Sequence, residues 1–206
     1  MLVQVSEQEF RNRMRSISED VQLNTQQIIY DIKDPPDARR QYETKFGHCR
    51  ATPEAIRLVS SYSPLVQVCA GKGHWQRALT LAGATVVAYD NRARTTSHPY
   101  SGNPTSVGNV LRGEEGALRL HRDKTLLLVH PPAGDSALRC LHMYEGDCFV
   151  YVGEGRSGIN ANDAFFDKLD AEWEPTDILE LDPFPQCFER LYVLRRKPVV
   201  TAEITA

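Results

Sequence analysis

Two glycines and one carboxylate carry the most specific chemistry in this sequence. Gly71 and Gly73 lie in VQVCAGKGHW, residues 66 to 75, and Asp90 ends the stretch TVVAYD. Glycines after a strand let the backbone turn sharply and lie close to a ligand, where a Cβ would clash. A carboxylate 19 residues after Gly71, at the tip of the next strand, is placed to accept hydrogen bonds from a ribose diol. The segment therefore predicts a site for a nucleoside cofactor.

A dinucleotide is the first cofactor to consider, and its fingerprint is G-x-G-x-x-G. Gln76 stands where that pattern needs its third glycine. The sequence also has no Tyr-x-x-x-Lys pair and no evident metal constellation. These absences disfavour an NAD-dependent oxidoreductase.

The order AGKG, Trp75 and then Asp90 resembles motifs I and II of class I S-adenosylmethionine-dependent methyltransferases. The resemblance implies S-adenosylmethionine as the cofactor, with the methionine portion on the glycine loop and the ribose on Asp90. The implied cofactor-binding residues are Ala70, Gly71, Gly73, Trp75, Asp90 and Asn91. That family usually has an acidic residue where Gln67 stands and a glycine where Cys69 stands.

The apolar stretch TLLLVH, residues 125 to 130, is followed by Pro131 and Pro132. By position, this segment resembles motif IV of amino-group methyltransferases, in which Asn or Asp precedes Pro-Pro and an aromatic residue. The resemblance implies that His130 is the catalytic residue at the acceptor, with Pro131 and Pro132 binding substrate, although Ala133 replaces the aromatic clamp. An unperturbed histidine, with a pKa of about 6.5, can accept a hydrogen bond or a proton near neutral pH. A structural histidine at a strand end is the alternative.

The remaining pattern predicts the frame that holds these residues. Near-continuous apolarity at 125 to 130 is typical of a buried parallel strand, and CFVYVGEG at 148 to 155 predicts another. TDILELD and RLYVLRR predict a closing antiparallel hairpin. The fold class is therefore α/β, a Rossmann-like three-layer sandwich whose mostly parallel sheet ends in an antiparallel C-terminal hairpin. Glu154, at a strand's carboxyl end, either orients substrate or is an ordinary loop carboxylate.

Helix signals separate the strands. Thr52 with Pro53 predicts a helix start, Gln76 to Ala82 a helix with Gly83 at C′, and Leu118 with Leu120 a further helix. Asp135 and Asn162 or Asp163 predict two more helix starts. The order from about Thr52 to Arg196 resembles the class I methyltransferase fold and a group of small methyltransferase-like proteins without assigned function.

Outside this order, residues 6 to 30 predict one or two amphipathic helices that end at Pro35-Pro36. Their arginines are interleaved with acids, which favours a solvated face over a presequence or an RNA contact. We divide the chain into an N-terminal helical extension at 1–45, a methyltransferase-like domain at 46–198 and a tail at 199–206. Tyr42, Phe46 and His48 either close over the cofactor or pack at the domain edge. Residues 95 to 108, with His98 and Tyr100, predict a long loop for substrate access.

Composition limits the classes of protein. The 206 residues carry a formal net charge of −3, so no global basic surface indicates nucleic acid as a partner. Five scattered cysteines without a C-x-x-C pair argue against disulfides and against a metal site, and they favour an intracellular, cytoplasmic setting. No apolar stretch predicts a membrane span.

We therefore predict an S-adenosylmethionine-dependent methyltransferase whose acceptor is an amine or a hydroxyl of RNA, protein or a small molecule. The alternative is a noncatalytic methyltransferase-fold scaffold or assembly subunit. Gln67, Cys69 and the altered HPPA segment favour that alternative, and its N-terminal helices would bind a protein partner.

Overall fold

The computed structural model describes residues 37–92, 107–185 and 187–198. The predicted N-terminal helices, most of the long loop with His98 and Tyr100, and the predicted tail lie outside these residues. The described helices are α1 (Asp37–Phe46), α2 (Pro53–Ser60), α3 (His74–Leu81), α4 (Ser136–Met143) and α5 (Asp163–Glu172), with a 3-10 helix at Glu115–Leu120. The strands are β1 (Leu65–Val68), β2 (Val86–Asp90), β3 (Val110–Arg112), β4 (Thr125–Val129), β5 (Cys148–Gly153), β6 (Trp173–Glu180) and β7 (Arg190–Arg196).

The seven strands form one sheet in the order β3-β2-β1-β4-β5-β7-β6. Strands β1 to β5 are parallel to one another, whereas β7 is antiparallel to both β5 and β6. This arrangement confirms the predicted fold class, including the antiparallel C-terminal hairpin. Within the described residues β3 and β6 are the outer strands, and the β6–β7 pairing is interrupted by a bulge between Pro175 and Asp177.

Both faces of the sheet are covered, which explains why the central strands are apolar at successive positions. One face packs against the 3-10 helix, α4 and α5, and the core there includes Leu126, Leu128, Phe149 and Phe165. The opposite face packs against α2 and α3 and includes Leu65, Leu127, Val150 and Trp75. Three layers therefore enclose two hydrophobic cores.

Local capping signals set several helix ends. The Thr52 hydroxyl accepts a hydrogen bond from the N–H of Ala55, with Pro53 at the first helical position. Gly83 is left-handed, and the N–H groups of Gly83 and Ala84 return to the carbonyls of Thr80 and Leu79, which is a Schellman motif. The Asn162 side chain likewise caps α5 by accepting from the N–H of Phe165.

Other elements differ from expectation. Asp135 is at the N-cap of α4 but its side chain makes no capping hydrogen bond, because its carboxylate pairs with Arg139 one turn along the helix. The segment with Leu118 and Leu120 forms a 3-10 helix, and α1 begins after Pro35-Pro36, where the helices of the predicted extension at 1–45 were expected to end. None of the described helices is both long and apolar enough to span a bilayer.

Candidate cofactor and acceptor site

The carboxyl end of β2 meets the glycine loop at Asp90. Its carboxylate is only 8% exposed and accepts two backbone hydrogen bonds, from Gly71 N–H to Oδ2 and from Arg92 N–H to Oδ1, both at 2.9 Å. The side chain is thus held in one orientation against the loop that follows β1. Each carboxylate oxygen has a second lone pair, so the group can still accept hydrogen bonds from a diol.

The two glycines of the loop differ in their surroundings. Gly71 has φ +55°, and a Cβ built there would have no heavy atom of the described residues within 4 Å, so among these residues the backbone faces open space. Gly73 has φ +83°, and a Cβ there would lie 2.7 Å from Val110 and 2.9 Å from the backbone of Gly108. Gly71 is therefore the glycine that leaves room for a ligand, whereas Gly73 lets the loop pack against Gly108.

Backbone hydrogen bonds to two other segments also hold this loop in place. The carbonyl of Lys72 accepts hydrogen bonds from the N–H groups of Val107 and Gly108, at 2.9 and 3.0 Å. Ala70 continues the sheet because its N–H donates to the Tyr89 carbonyl at 3.0 Å. Backbone hydrogen bonds therefore hold the loop that connects β1 to α3 in place beside Asp90.

Gln67 and Cys69 are the two departures from the methyltransferase pattern, the first in β1 and the second at the start of the loop that follows it. Gln67 is buried in β1, and its Oε1 atom accepts no hydrogen bond from the described residues. Cys69 has φ +60°, in the region that favours glycine. Burial, reinforced by the negative charge of Asp90, raises the pKa of the Cys69 thiol to about 11, so it is protonated at neutral pH.

Trp75 and Asn91 are placed differently from each other. Trp75 is 3% exposed, belongs to the core, and donates its indole N–H to the carbonyl of Cys49 at 2.8 Å. Asn91 is exposed directly after β2, and its amide donates to Glu114 at 3.2 Å. Of the predicted cofactor-binding residues, the structure brings Ala70, Gly71 and Asp90 together, with Asn91 at the rim and Trp75 behind the loop.

His130 lies at the carboxyl end of β4, next to the end of β1. Its φ is +46°, and its N–H donates to the Val152 carbonyl at 2.7 Å. The imidazole stacks on His48 with ring centroids 4.8 Å apart, and its Nε2 is 4.0 Å from Oε1 of Glu189. A non-glycine residue in this conformation has a strained backbone that its surroundings must hold in place.

The prolines after His130 are tied to the loop after β5. The carbonyl of Pro131 accepts from the side-chain amide of Asn160 at 2.9 Å, and that of Pro132 accepts from Ala161 N–H at 3.2 Å. Asn160 also accepts the N–H of Glu154 at 2.8 Å. This buried asparagine therefore connects the loops that follow β4 and β5.

The Glu154 carboxylate organises the same loop. It is buried, with Oε2 accepting from Ile159 N–H at 3.0 Å and Oε1 accepting from Phe188 N–H at 3.2 Å. The backbone carbonyl of Glu154 accepts from the Tyr151 hydroxyl at 2.7 Å. These bonds give Glu154 an ordering role, and the residue also lines a shallow pocket with Arg156, Glu189 and other residues of the β7 end.

The segment before β1 folds back over this edge. Tyr42 packs against Phe46 and Phe184, and Arg50 pairs with Asp182 in the connection between β6 and β7. His48 covers His130 on the same side. Tyr42, Phe46 and His48, expected either to close over the cofactor or to pack at the domain edge, thus lie near the carboxyl end of β4 and the start of β7.

Sequence reasoning missed three residues of this region: Cys49, Asn160 and Glu189. Their sequence neighbours carry no recognisable motif, and each becomes notable only through contacts with distant parts of the chain.

Comparison with known proteins agrees with this geometry at the level of fold. No family model matches the chain, and no curated protein sequence is similar to it. Magnesium protoporphyrin IX methyltransferase from Synechocystis PCC 6803 with bound SAH is similar in structure, with a TM-score of 0.51 and 10% identity; the match covers 91% of this chain and all of that one. The same enzyme with bound SAM gives a TM-score of 0.47 at 11% identity, covering 96% of this chain and all of that one.

A third solved structure, TehB from Haemophilus influenzae, matches 76% of this chain and 66% of its own, at 12% identity and a TM-score of 0.39. At such identities the likeness concerns architecture. The chain has the fold of class I S-adenosylmethionine-dependent methyltransferases.

Proposed function

We propose that this protein binds S-adenosylmethionine and transfers its methyl group to an amine or hydroxyl acceptor. The observation that carries the proposal is the Asp90 carboxylate, held by Gly71 N–H at the carboxyl end of β2 and facing uncovered backbone at Gly71. In an open α/β sheet this edge is where ligands bind.

The residues present fit the cofactor at two points. The space in front of Gly71 admits a ligand where a side chain would block it. The buried Gln67 oxygen is an acceptor that can take a hydrogen bond from an ammonium group. When bound, S-adenosylmethionine supplies an activated methyl group on a sulfonium leaving group.

The contribution of the protein to such a transfer is mainly positioning. Asp90 and Gly71 would hold the nucleoside end, and Ala70 and Gly73 would shape the loop at the methionine end. His130 ends β4, the strand beside β1, so an acceptor near it would be about one strand spacing, roughly 5 Å, from the glycine loop. His130 would accept a hydrogen bond or proton from the acceptor, with Glu189 Oε1 4.0 Å from its Nε2.

A second candidate function is a noncatalytic methyltransferase-fold scaffold. The observation that favours it is Gln67, a neutral side chain where the resembling enzymes usually carry an acid that would attract the methionine ammonium. Loss of that charge weakens the expected attraction without changing the fold.

Thermal unfolding with added ligand separates the two functions. Purified protein would be unfolded with S-adenosylmethionine, S-adenosylhomocysteine or NAD, each in large excess. Ligand at 100 times its dissociation constant stabilises by about 2.7 kcal/mol, or roughly 5 to 10 °C for a chain of this size. We expect this shift with the two methionine derivatives and none with NAD. Absence of any shift would refute cofactor binding and favour the scaffold.

The acceptor would then be sought with S-adenosylmethionine carrying a labelled methyl group. Label transfer to RNA, to protein or to small molecules would identify the acceptor class. His130→Ala should reduce that transfer while leaving cofactor affinity within about twofold, because its proposed contact is with the acceptor. Unchanged transfer in this variant would remove His130 from the reaction.

A further inference from the structure

Three side chains from distant parts of the sequence converge at the carboxyl edge of the sheet. The sulfur of Cys49, a ring nitrogen of His130 and a carboxylate oxygen of Glu189 all lie within 4.8 Å of one another. Cys49 precedes α2, His130 follows β4, and Glu189 immediately precedes β7. The sequence argued against a metal site because its five cysteines are scattered without a C-x-x-C pair, yet the fold brings one of them together with His130 and Glu189.

Burial distinguishes this cluster from an ordinary surface group. Cys49 and Glu189 are each 2% exposed, and the His130 side chain is 13% exposed. The 4.0 Å between His130 Nε2 and Glu189 Oε1 is too long for a hydrogen bond. This separation is closer to that between two ligand atoms that bind the same metal ion.

The ligand types select the ion. A thiolate, an imidazole and a carboxylate together suit Zn²⁺, whereas Mg²⁺ and Ca²⁺ prefer oxygen ligands alone. Tetrahedral zinc, with bonds of about 2.0 to 2.3 Å, places its ligand atoms roughly 3.3 to 3.7 Å apart. The observed separations exceed this range by about 1 Å or less, a difference that small side-chain rotations can close.

The surroundings hold each of the three residues in place. The Cys49 carbonyl accepts the buried indole N–H of Trp75, and the His130 ring lies against His48. Glu189 adjoins Arg190, which is fixed in register opposite Gly153 and pairs with Glu180 at 2.8 Å. A metal site requires ligands that are held in place by their surroundings in this way.

We propose that Cys49, His130 and Glu189 together bind one Zn²⁺ ion. Three protein ligands leave one of the four zinc positions for water or another small ligand. The ion would connect the segment before α2, the end of β4 and the start of β7. This proposal is independent of cofactor binding, because none of the three residues belongs to the Asp90–Gly71 site, but it assigns His130 to the ion in place of the methyl acceptor.

Cobalt substitution gives the most direct test. Metal-free full-length protein would be titrated with Co²⁺, whose tetrahedral thiolate complexes show d–d bands and a sulfur-to-cobalt charge-transfer band. We expect both signals to saturate at one equivalent and to be lost when Zn²⁺ is added. Absence of the charge-transfer band in folded wild-type protein, or saturation without any effect of Zn²⁺, would overturn the proposal.

Variants then locate the ligands. Cys49→Ser should abolish the charge-transfer band, and Glu189→Gln should weaken Zn²⁺ binding by about 100-fold or more, since loss of an outer partner alone costs 10- to 100-fold. Cys140→Ser is the matched control, because Cys140 is equally buried but packs in the opposite core. Circular dichroism without metal checks folding of each variant. If Cys140→Ser loses the band and Cys49→Ser keeps it, the assignment is wrong.

A substitution at one site should leave ligand affinity at the other site unchanged. Asp90→Asn should leave Zn²⁺ affinity unchanged, and Cys49→Ser should leave S-adenosylhomocysteine affinity unchanged. A protein that binds zinc but no cofactor would retain this inference while refuting the proposed function.

Discussion

Replacement of Asp90 by Asn tests the proposed cofactor site with the smallest change of shape. Both carboxylate oxygens accept a backbone N–H, from Gly71 at Oδ2 and from Arg92 at Oδ1. An asparagine has one oxygen, so in either orientation its NH₂ group faces a backbone donor. The variant must leave one of these N–H groups without its acceptor.

The size of the effect follows from this geometry. A buried donor that loses its acceptor costs about 1 to 3 kcal/mol of unfolding free energy. The cofactor loses one hydrogen bond to a charged group, worth about 1.5 to 3 kcal/mol, which corresponds to a 10- to 150-fold weaker affinity. Isothermal titration with S-adenosylhomocysteine measures the affinity, and urea unfolding without ligand measures the stability.

Glu154→Gln provides the matched control. Glu154 is also buried, and its two oxygens likewise accept backbone N–H groups, from Ile159 and Phe188. We expect a similar loss of stability and no change in cofactor affinity, because Glu154 lies in the loop after β5. Equal affinity of Asp90→Asn and the wild type would refute the site, and an equal loss in both variants would show that affinity follows stability alone.

Three further predictions concern the loop, the core and alkaline pH. Gly71→Ala and Gly83→Ala both place a Cβ in open space on left-handed backbone, so each should cost about 1 to 2 kcal/mol in urea unfolding, but only Gly71→Ala should weaken cofactor binding in titration. Trp75→Phe removes the hydrogen bond to the Cys49 carbonyl and should lower stability by about 1 to 3 kcal/mol with unchanged cofactor affinity; a selective loss of affinity would instead make Trp75 a cofactor contact. Because the pKa of Cys69 is raised to about 11 by burial and by Asp90, the unfolded chain releases this proton first. Stability should therefore fall as pH rises from about 8.5 to about 11, and this slope in urea unfolding should be smaller in Cys69→Ala; an identical slope would contradict the assignment.

The sequence predicted those features that depend on neighbouring residues. Thr52 and Asn162 cap helices because a side-chain oxygen reaches an N–H three residues away. The apolar strands and the closing hairpin follow from their periodicity. The position of Asp90 at the end of a strand could also be predicted, since its separation from Gly71 in the sequence is characteristic of a strand–loop–helix–strand unit.

The features that escaped prediction depend on distant contacts. Nothing near Cys49 indicates that Glu189, 140 residues later in the chain, lies beside it. Gly71 and Gly73 are glycines of the same loop, but their surroundings differ. Only the packing of Gly108 against Gly73 distinguishes their roles. Asp135 makes no capping hydrogen bond because its carboxylate pairs with Arg139. Rules for helix capping do not include this competition.

The two outer strands of the described sheet determine how an extended partner can bind to the sheet. β3 has three residues, and β6 carries Pro175 with a bulge beside it and exposed acidic side chains at Glu174, Asp177 and Glu180. Short, bulged or charged edges resist pairing with another extended chain, which protects against edge-to-edge aggregation. An extended peptide would therefore not be recognised by joining this sheet as an eighth strand, so a protein acceptor would have to be held through its side chains.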